Sequence, residues 1–220
     1  MADSVAASVA DSPAEPVAVS TAVSTATSLA ERRSPAAAFA ARFEAASAGG
    51  GLRLAEIPFL TQINLRVDPK SPAAERIGTA IGVPLPVEPG TAAGGGGLEV
   101  LWLGPDEWLV VGPEGAAPGL VERLTEAADG EHVSVVDVSA QRTTLVVAGD
   151  RARDVLAHGC ALDLHPRVFG PGRVAQTMLA RAGVVLVAGA DGFRLLVRSS
   201  FAAYVAEWLL DASVEYVAGG

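Results

Sequence analysis

Within one short stretch the chain sets His158, Cys160, Asp163 and His165, the side-chain types that build a thiol nucleophile or a zinc site. Neither chemistry is well served. A thiolate just past a helix C-terminus meets the negative end of the helix dipole, and the spacing around Leu162 and Leu164 follows no closed four-ligand pattern. A basic residue such as His158 in the last helical turn more simply meets the terminal carbonyls. Asp106 and Glu107 form a second set, flanked by Trp102 and Trp108. Neighbouring residues on a strand point apart, so these carboxylates suit a turn better than an acid and base pair. Asp137 is the third. It lies in the apolar run Val133 to Ser139, where a carboxylate needs a partner, and Arg142 at the start of the next strand is the natural one for a structural ion pair. Gly94 to Gly97 lacks a following Lys-Ser/Thr and opens a strand, which fits neither a phosphate loop nor a dinucleotide fingerprint. Lys70 is the only lysine, and no Gly-x-Ser-x-Gly elbow occurs.

The composition narrows the classes further. The chain has 220 residues, 25 acidic and 16 basic side chains, a net charge of −9 and one cysteine. An internal disulfide is impossible, and a Cys-rich zinc module is excluded. Without a Lys/Arg cluster, neither a nucleic-acid groove nor a polybasic membrane patch is expected. No apolar run reaches the ~18 residues of a membrane helix, and acids (Asp3, Asp11, Glu15) stand where a leader peptide would carry bases, so a cytoplasmic location is expected.

The elements that must position these residues begin after a low-complexity tail. Residues 1–33 are Ala, Ser, Val, Thr, Pro and acids, too poor in large apolar side chains to offset the entropy of ordering, and are expected to be disordered. Residues 34–51 read as an N-terminal helix and linker: Ser34-Pro35 resembles a cap, Phe39 and Phe43 share a face, and three glycines end it. Residues 52–217 read as one α+β domain. Ser71-Pro72 opens a helix closed by Gly82, Asp150 opens another running to His158, and a third follows from Pro118 to Ala128. Strands are predicted at Thr61 to Val67, Glu99 to Leu103, Leu109 to Val111, Val133 to Val138, Arg142 to Val147, Val174 to Leu179, Val184 to Val187 and Phe193 to Val197. A last helix starts at Ser199 or Ser200 and carries Phe201, Val205, Trp208 and Leu209 on one face. Strand pairs divided by single helices favour a mixed, largely antiparallel sheet with flanking helices over a doubly wound fold.

Val136-Asp-Val-Ser139 followed by Gly149-Asp150 and the helix to Leu156 resembles the folate-binding domain of glycine-cleavage T-proteins. Longer blocks, Ile57 to Arg66, Leu101-Trp-Leu-Gly-Pro-Asp-Glu-Trp-Leu109, Asp137 to Leu145 and Gly159 to Pro166, resemble the gamma subunits of heterotetrameric sarcosine oxidase over essentially the whole chain after Ser34. That resemblance implies a T-protein-like fold and a complex with alpha, beta and delta subunits. Such a complex oxidises sarcosine to glycine, forms 5,10-methylenetetrahydrofolate from tetrahydrofolate and releases hydrogen peroxide. It further implies that FAD, FMN, NAD and zinc sit on other chains and that this chain holds no catalytic, cofactor or metal site of its own. The surfaces expected to meet partners are the Phe39/Phe43 helix, the Trp102, Asp106 and Trp108 hairpin, and the Phe201/Trp208 helix; the same faces also suit an intramolecular core. A free-standing folate-binding or one-carbon transfer module is the alternative reading, in which arginines such as Arg142, Arg167 or Arg173 meet the glutamate tail of tetrahydrofolate.

Overall fold

The computed structural model describes residues 32–217. The low-complexity stretch expected to be disordered lies outside them through residue 31. A 3-10 turn at Ala37–Phe39 leads into α1 (Ala40–Ser47), then β1 (Arg53–Ile57), β2 (Thr61–Arg66), α2 (Pro72–Ile81), β3 (Ala92–Gly95), β4 (Leu98–Gly104) and β5 (Glu107–Gly112). There follow α3 (Ala117–Ala128), β6 (Ser134–Asp137), β7 (Arg142–Ala148), α4 (Ala152–Ala157), β8 (Val174–Leu179), β9 (Ala182–Ala188) and β10 (Gly192–Arg198). A second 3-10 turn, Ser199–Phe201, runs into α5 (Ala202–Val217).

Several boundaries follow local chemistry. Ser71 Oγ accepts from Ala74 N, Pro72 stands in the first turn, and α2 ends where Gly82 takes φ +69° and sends its N–H back to Gly78 and Thr79. Two expected caps do not form. Ser34 Oγ donates instead to Glu56 Oε2 at 2.5 Å, because β1 runs alongside, and the helix starts later at Ala37 without a side-chain cap. Asp150 likewise gives α4 no cap; Arg151 holds that position.

The strands form two antiparallel sheets. A C-terminal sheet orders β1-β7-β10-β9-β8, and an N-terminal sheet orders β3-β4-β5-β2-β6. The outer face of the C-terminal sheet (Leu54, Leu145, Val147, Leu195) packs under Phe39 and Phe43 of the N-terminal arm, Val155 and Leu156 of α4, and Val205 and Leu209 of α5. The outer face of the N-terminal sheet (Ile63, Leu65, Trp108, Val110) packs under Ile77 and Ile81 of α2 and Leu120 and Leu124 of α3. Between the sheets, Leu101, Leu109 and Val111 meet Val174, Val185, Val187 and Leu196. The layers therefore run helices, sheet, sheet, helices, and the alternation of each strand is what lets one face serve each core.

The element order repeats. β1-β2-α2-β3-β4-β5-α3 is matched by β6-β7-α4-β8-β9-β10-α5. In each half the first strand joins the sheet of the other half: β1 pairs with β7, and β6 pairs with β2. The halves meet about a local two-fold at the bridge between Thr91 and Arg173. There Ala92 N donates to Gly172 O at 2.9 Å and Val174 N to Gly90 O at 2.8 Å. Gly90 and Gly172 both take positive φ (70° and 82°), so the same turn is built on either side of the axis.

Candidate functional site

The expected Asp137–Arg142 ion pair does not form. β6 is an edge strand, paired only with β2, and Asp137 at its end is exposed, so water reaches the carboxylate. Its Oδ1 accepts instead from Ser139 N at 2.9 Å and Ser139 Oγ at 2.5 Å. Ser139 Oγ in turn accepts from Gln62 N at 3.0 Å, so the brace runs through a serine to β2 rather than to Arg142.

The aromatic candidates divide. Phe39 and Phe43 are buried against the outer face of the C-terminal sheet, with ring centroids 6.2 Å apart. Trp108 is fully buried and donates Nε1–H to Pro86 O at 2.8 Å. These three are spent within the chain, because burying them is what holds α1 and the β4–β5 hairpin in place. Trp102, the cross-strand partner of Trp108, is half-buried against the same core. Trp208 is half-buried and packs on Gly159. Asp106, exposed, grips Arg66 with both oxygens at 3.1 and 2.9 Å, while Glu107 points elsewhere and accepts from Asn64 Nδ2 at 2.7 Å. Phe201 remains exposed, at 42%.

The thiol and imidazole set is dispersed. Cys160 is buried in the core under α5. Asp163 accepts from His165 N, and His165 Nδ1 accepts from Arg167 N, both within local turns. His158 does not meet the terminal carbonyls of α4; its Nε2 lies 3.0 Å from Tyr216 Oη, because the end of α5 passes over it. Among the described residues no three His, Cys, Asp or Glu side chains gather as a metal set.

One cluster escaped the sequence reading. β7 and β10 pair so that Arg142 stands opposite Arg198. By strand alternation both lie on the inner-face side of the C-terminal sheet, the side of Val185 and Leu196, beside a hollow of about 620 Å³ lined by Arg142, Arg198, Gln176, Met178, Val185 and Phe201. Among the described residues, ion pairs occupy Arg42, Arg66, Arg76, Arg151, Arg173 and Arg194, but neither of these two. Burial pushes the Arg142 guanidinium pKa down and the facing Arg198 adds to the fall, while Glu107 acts the other way. The Arg142 main chain is pinned by Gln62, whose Nε2 donates to its carbonyl at 3.1 Å. The available signal was two arginines at the ends of apolar strands in an acidic chain. Only the strand register sets them face to face.

The family described as sarcosine oxidase, gamma subunit family, matches residues 66–215. The sarcosine oxidase subunit gamma of an Arthrobacter species is 41% identical over 187 residues, covering 84% of this chain and 91% of that one. Its counterpart from Corynebacterium sp. (strain U-96) is 42% identical over 191 residues, covering 85% and 92%. Among solved structures, the heterotetrameric sarcosine oxidase from Corynebacterium sp. U-96, in complex with pyrrole 2-carboxylate, contains a chain similar at TM-score 0.80 and 42% identity, covering 86% of this chain and 98% of that one. The glycine cleavage system aminomethyltransferase T from Bartonella henselae shares the fold at TM-score 0.55 and 17% identity, over 76% of this chain and 48% of that one.

Proposed function

The chain belongs to the sarcosine oxidase gamma subunit family, and on that premise we propose that it completes a heterotetrameric sarcosine oxidase as a non-catalytic subunit. Its partners are then the alpha, beta and delta chains. The assembly converts sarcosine and oxygen to glycine and hydrogen peroxide and delivers the one-carbon unit to tetrahydrofolate as 5,10-methylenetetrahydrofolate. FAD, FMN, NAD and zinc are held by the other chains, and the complex is cytoplasmic; no described helix is long and apolar enough to cross a membrane.

The observation that carries this reading is the extent of the likeness, which covers 98% of the matching chain in the Corynebacterium complex rather than one motif. In the subunit reading these side chains have structural roles: Cys160 is buried in the core, His158 meets the Tyr216 hydroxyl, Asp137 closes a turn with Ser139 and Asp106 pairs with Arg66. The fold shared with aminomethyltransferase T does not by itself bring folate chemistry to this chain.

Co-expression of the four chains tests the proposal. The expected result is that this chain co-elutes stoichiometrically and that leaving it out lowers the yield and thermal stability of the remaining complex. A complex that forms and turns over equally well without it overturns the reading. Calorimetry of the isolated chain with tetrahydrofolate separates the alternative: a measurable heat of binding would favour a folate module.

A further inference from the structure

We propose that the Arg142 and Arg198 shelf on the inner face of the C-terminal sheet docks a carboxylate-bearing segment of a neighbouring subunit. This rests on the subunit reading above and names the surface it uses.

Like charges directly opposite on an antiparallel pair destabilise it, so an arginine pair facing itself is an arrangement that a bound anion relieves. The chain carries a net charge of −9, and among the described residues carboxylates pair with Arg42, Arg66, Arg76, Arg151, Arg173 and Arg194 but not with these two. The acid that acts on Arg142, Glu107, is committed to Asn64 at 2.7 Å and makes no ion pair with it. The two guanidinium forks therefore stand in a hollow of about 620 Å³ with their donors unclaimed by a carboxylate.

The surroundings say what kind of carboxylate it is. Met178 is 52% exposed and Phe201 42%, and Tyr204, one turn further along at the start of α5, is 40% exposed. Arginine, methionine and aromatic side chains are the types enriched at the centre of protein interfaces, where the guanidinium takes a carboxylate with two parallel hydrogen bonds. A small carboxylate ligand would be better held by an enclosing pocket, whereas this hollow is open to solvent and carries Met178, Val185 and Phe201 beside the two arginines. A peptide segment with an acidic residue next to an apolar one satisfies both halves of the surface. Arg142 is ready for it, because its main chain is already fixed by Gln62.

The test compares the full chain with its Arg142→Gln/Arg198→Gln double variant. Alone, the variant is expected to keep its circular dichroism and melt no lower than wild type, since it removes a repulsion. With the other subunits, its affinity should fall about 30-fold or more at low salt, and what remains should depend less on salt. A variant that joins the complex with wild-type affinity and salt dependence overturns the proposal while leaving the subunit reading intact. A wild-type chain that fails to join at all overturns both. Two other occupants are separately visible, and either would also overturn it: self-association of the wild-type chain, absent in the variant, by sedimentation; or binding of tetraglutamate to the isolated wild-type chain, lost in the variant while assembly is unchanged, by calorimetry.

Discussion

Gly159 lies directly beneath the Trp208 indole: a Cβ at that position would stand 2.6 Å from Cζ2 and 3.1 Å from the Ala180 nitrogen. The end of α4 and the middle of α5 can approach this closely only because position 159 has no side chain.

Gly159→Ala should therefore force the indole or the Ala180 turn to move, at a cost of about 1–3 kcal/mol. The check is a thermal melt of the variant, with Gly159→Ala/Trp208→Leu as the second arm. Partial recovery of the melting temperature in the double variant is expected if the clash is with the ring, and none if backbone strain at 159 is the cause.

Glu56→Ala should loosen the N-terminal arm. The carboxylate accepts from Ser34 Oγ at 2.5 Å, Ala36 N at 3.2 Å and Thr143 Oγ1 at 2.5 Å, so one side chain ties the start of the arm to β1 and β7. Leaving these donors without their acceptor should cost about 1–3 kcal/mol. Limited proteolysis between residues 33 and 52 should become faster while the sheets stay intact; an unchanged cleavage rate would count against the tie.

The pair Arg42 and Glu207, bonded at 2.6 and 2.7 Å, links α1 to α5. Hydrogen bonding to Arg42 holds the Glu207 carboxyl below its ordinary value, so the pair supports the fold above that value and its support is lost as pH falls through the lowered one. Because both groups are exposed, salt should weaken it. The melting-temperature difference between wild type and Glu207→Gln should be present at neutral pH, vanish in acid, and shrink in high salt. A difference that persists in acid would exclude the charge as its source.

Thr144→Val should be neutral or stabilising. Thr144 is 1% exposed and its Oγ1 has no hydrogen-bond partner among the described residues, so the fold bears the desolvation of a hydroxyl without the bond. Replacing it with a residue of the same shape should gain up to about 1 kcal/mol. Denaturant unfolding measures this, and a clear loss of stability would mean the hydroxyl is bonded in solution.

The helices were legible because their signals are local: Ser71, Pro72 and Gly82 bound α2 by themselves, and the spacing of Leu120 and Leu124 marks the buried face of α3. β3 was not, since Ala92–Gly95 has no apolar alternation and becomes a strand only because β4 offers it a ladder. β1 was missed for a related reason; Arg53–Ile57 finds its partner β7 in the other half of the chain. The turn between the strands expected at Val174 to Leu179 and Val184 to Val187 is shorter than that spacing, because Ala180 takes φ +50° although it is not glycine and β9 already begins at Ala182. Asp137 was given a partner it does not need, because an edge position cannot be told from a central one in a run of valines. The arginine shelf was invisible for the deepest reason: Arg142 and Arg198 become neighbours only through pairing register, which is a property of the fold and not of either segment.

The exchange of first strands between the halves sets an order of events during synthesis. Arg53 leaves the ribosome long before Ala148, the residue it pairs with, and the N-terminal sheet stays open at β2 until Asp137 arrives to sit across from Ile63. Neither half can close while the other is missing, so the nascent chain carries unsatisfied ladder edges through most of its translation. A fragment ending between the halves should then be a prime client for chaperones. Two such fragments can complete one another only by trading first strands, as the two halves do within the full chain.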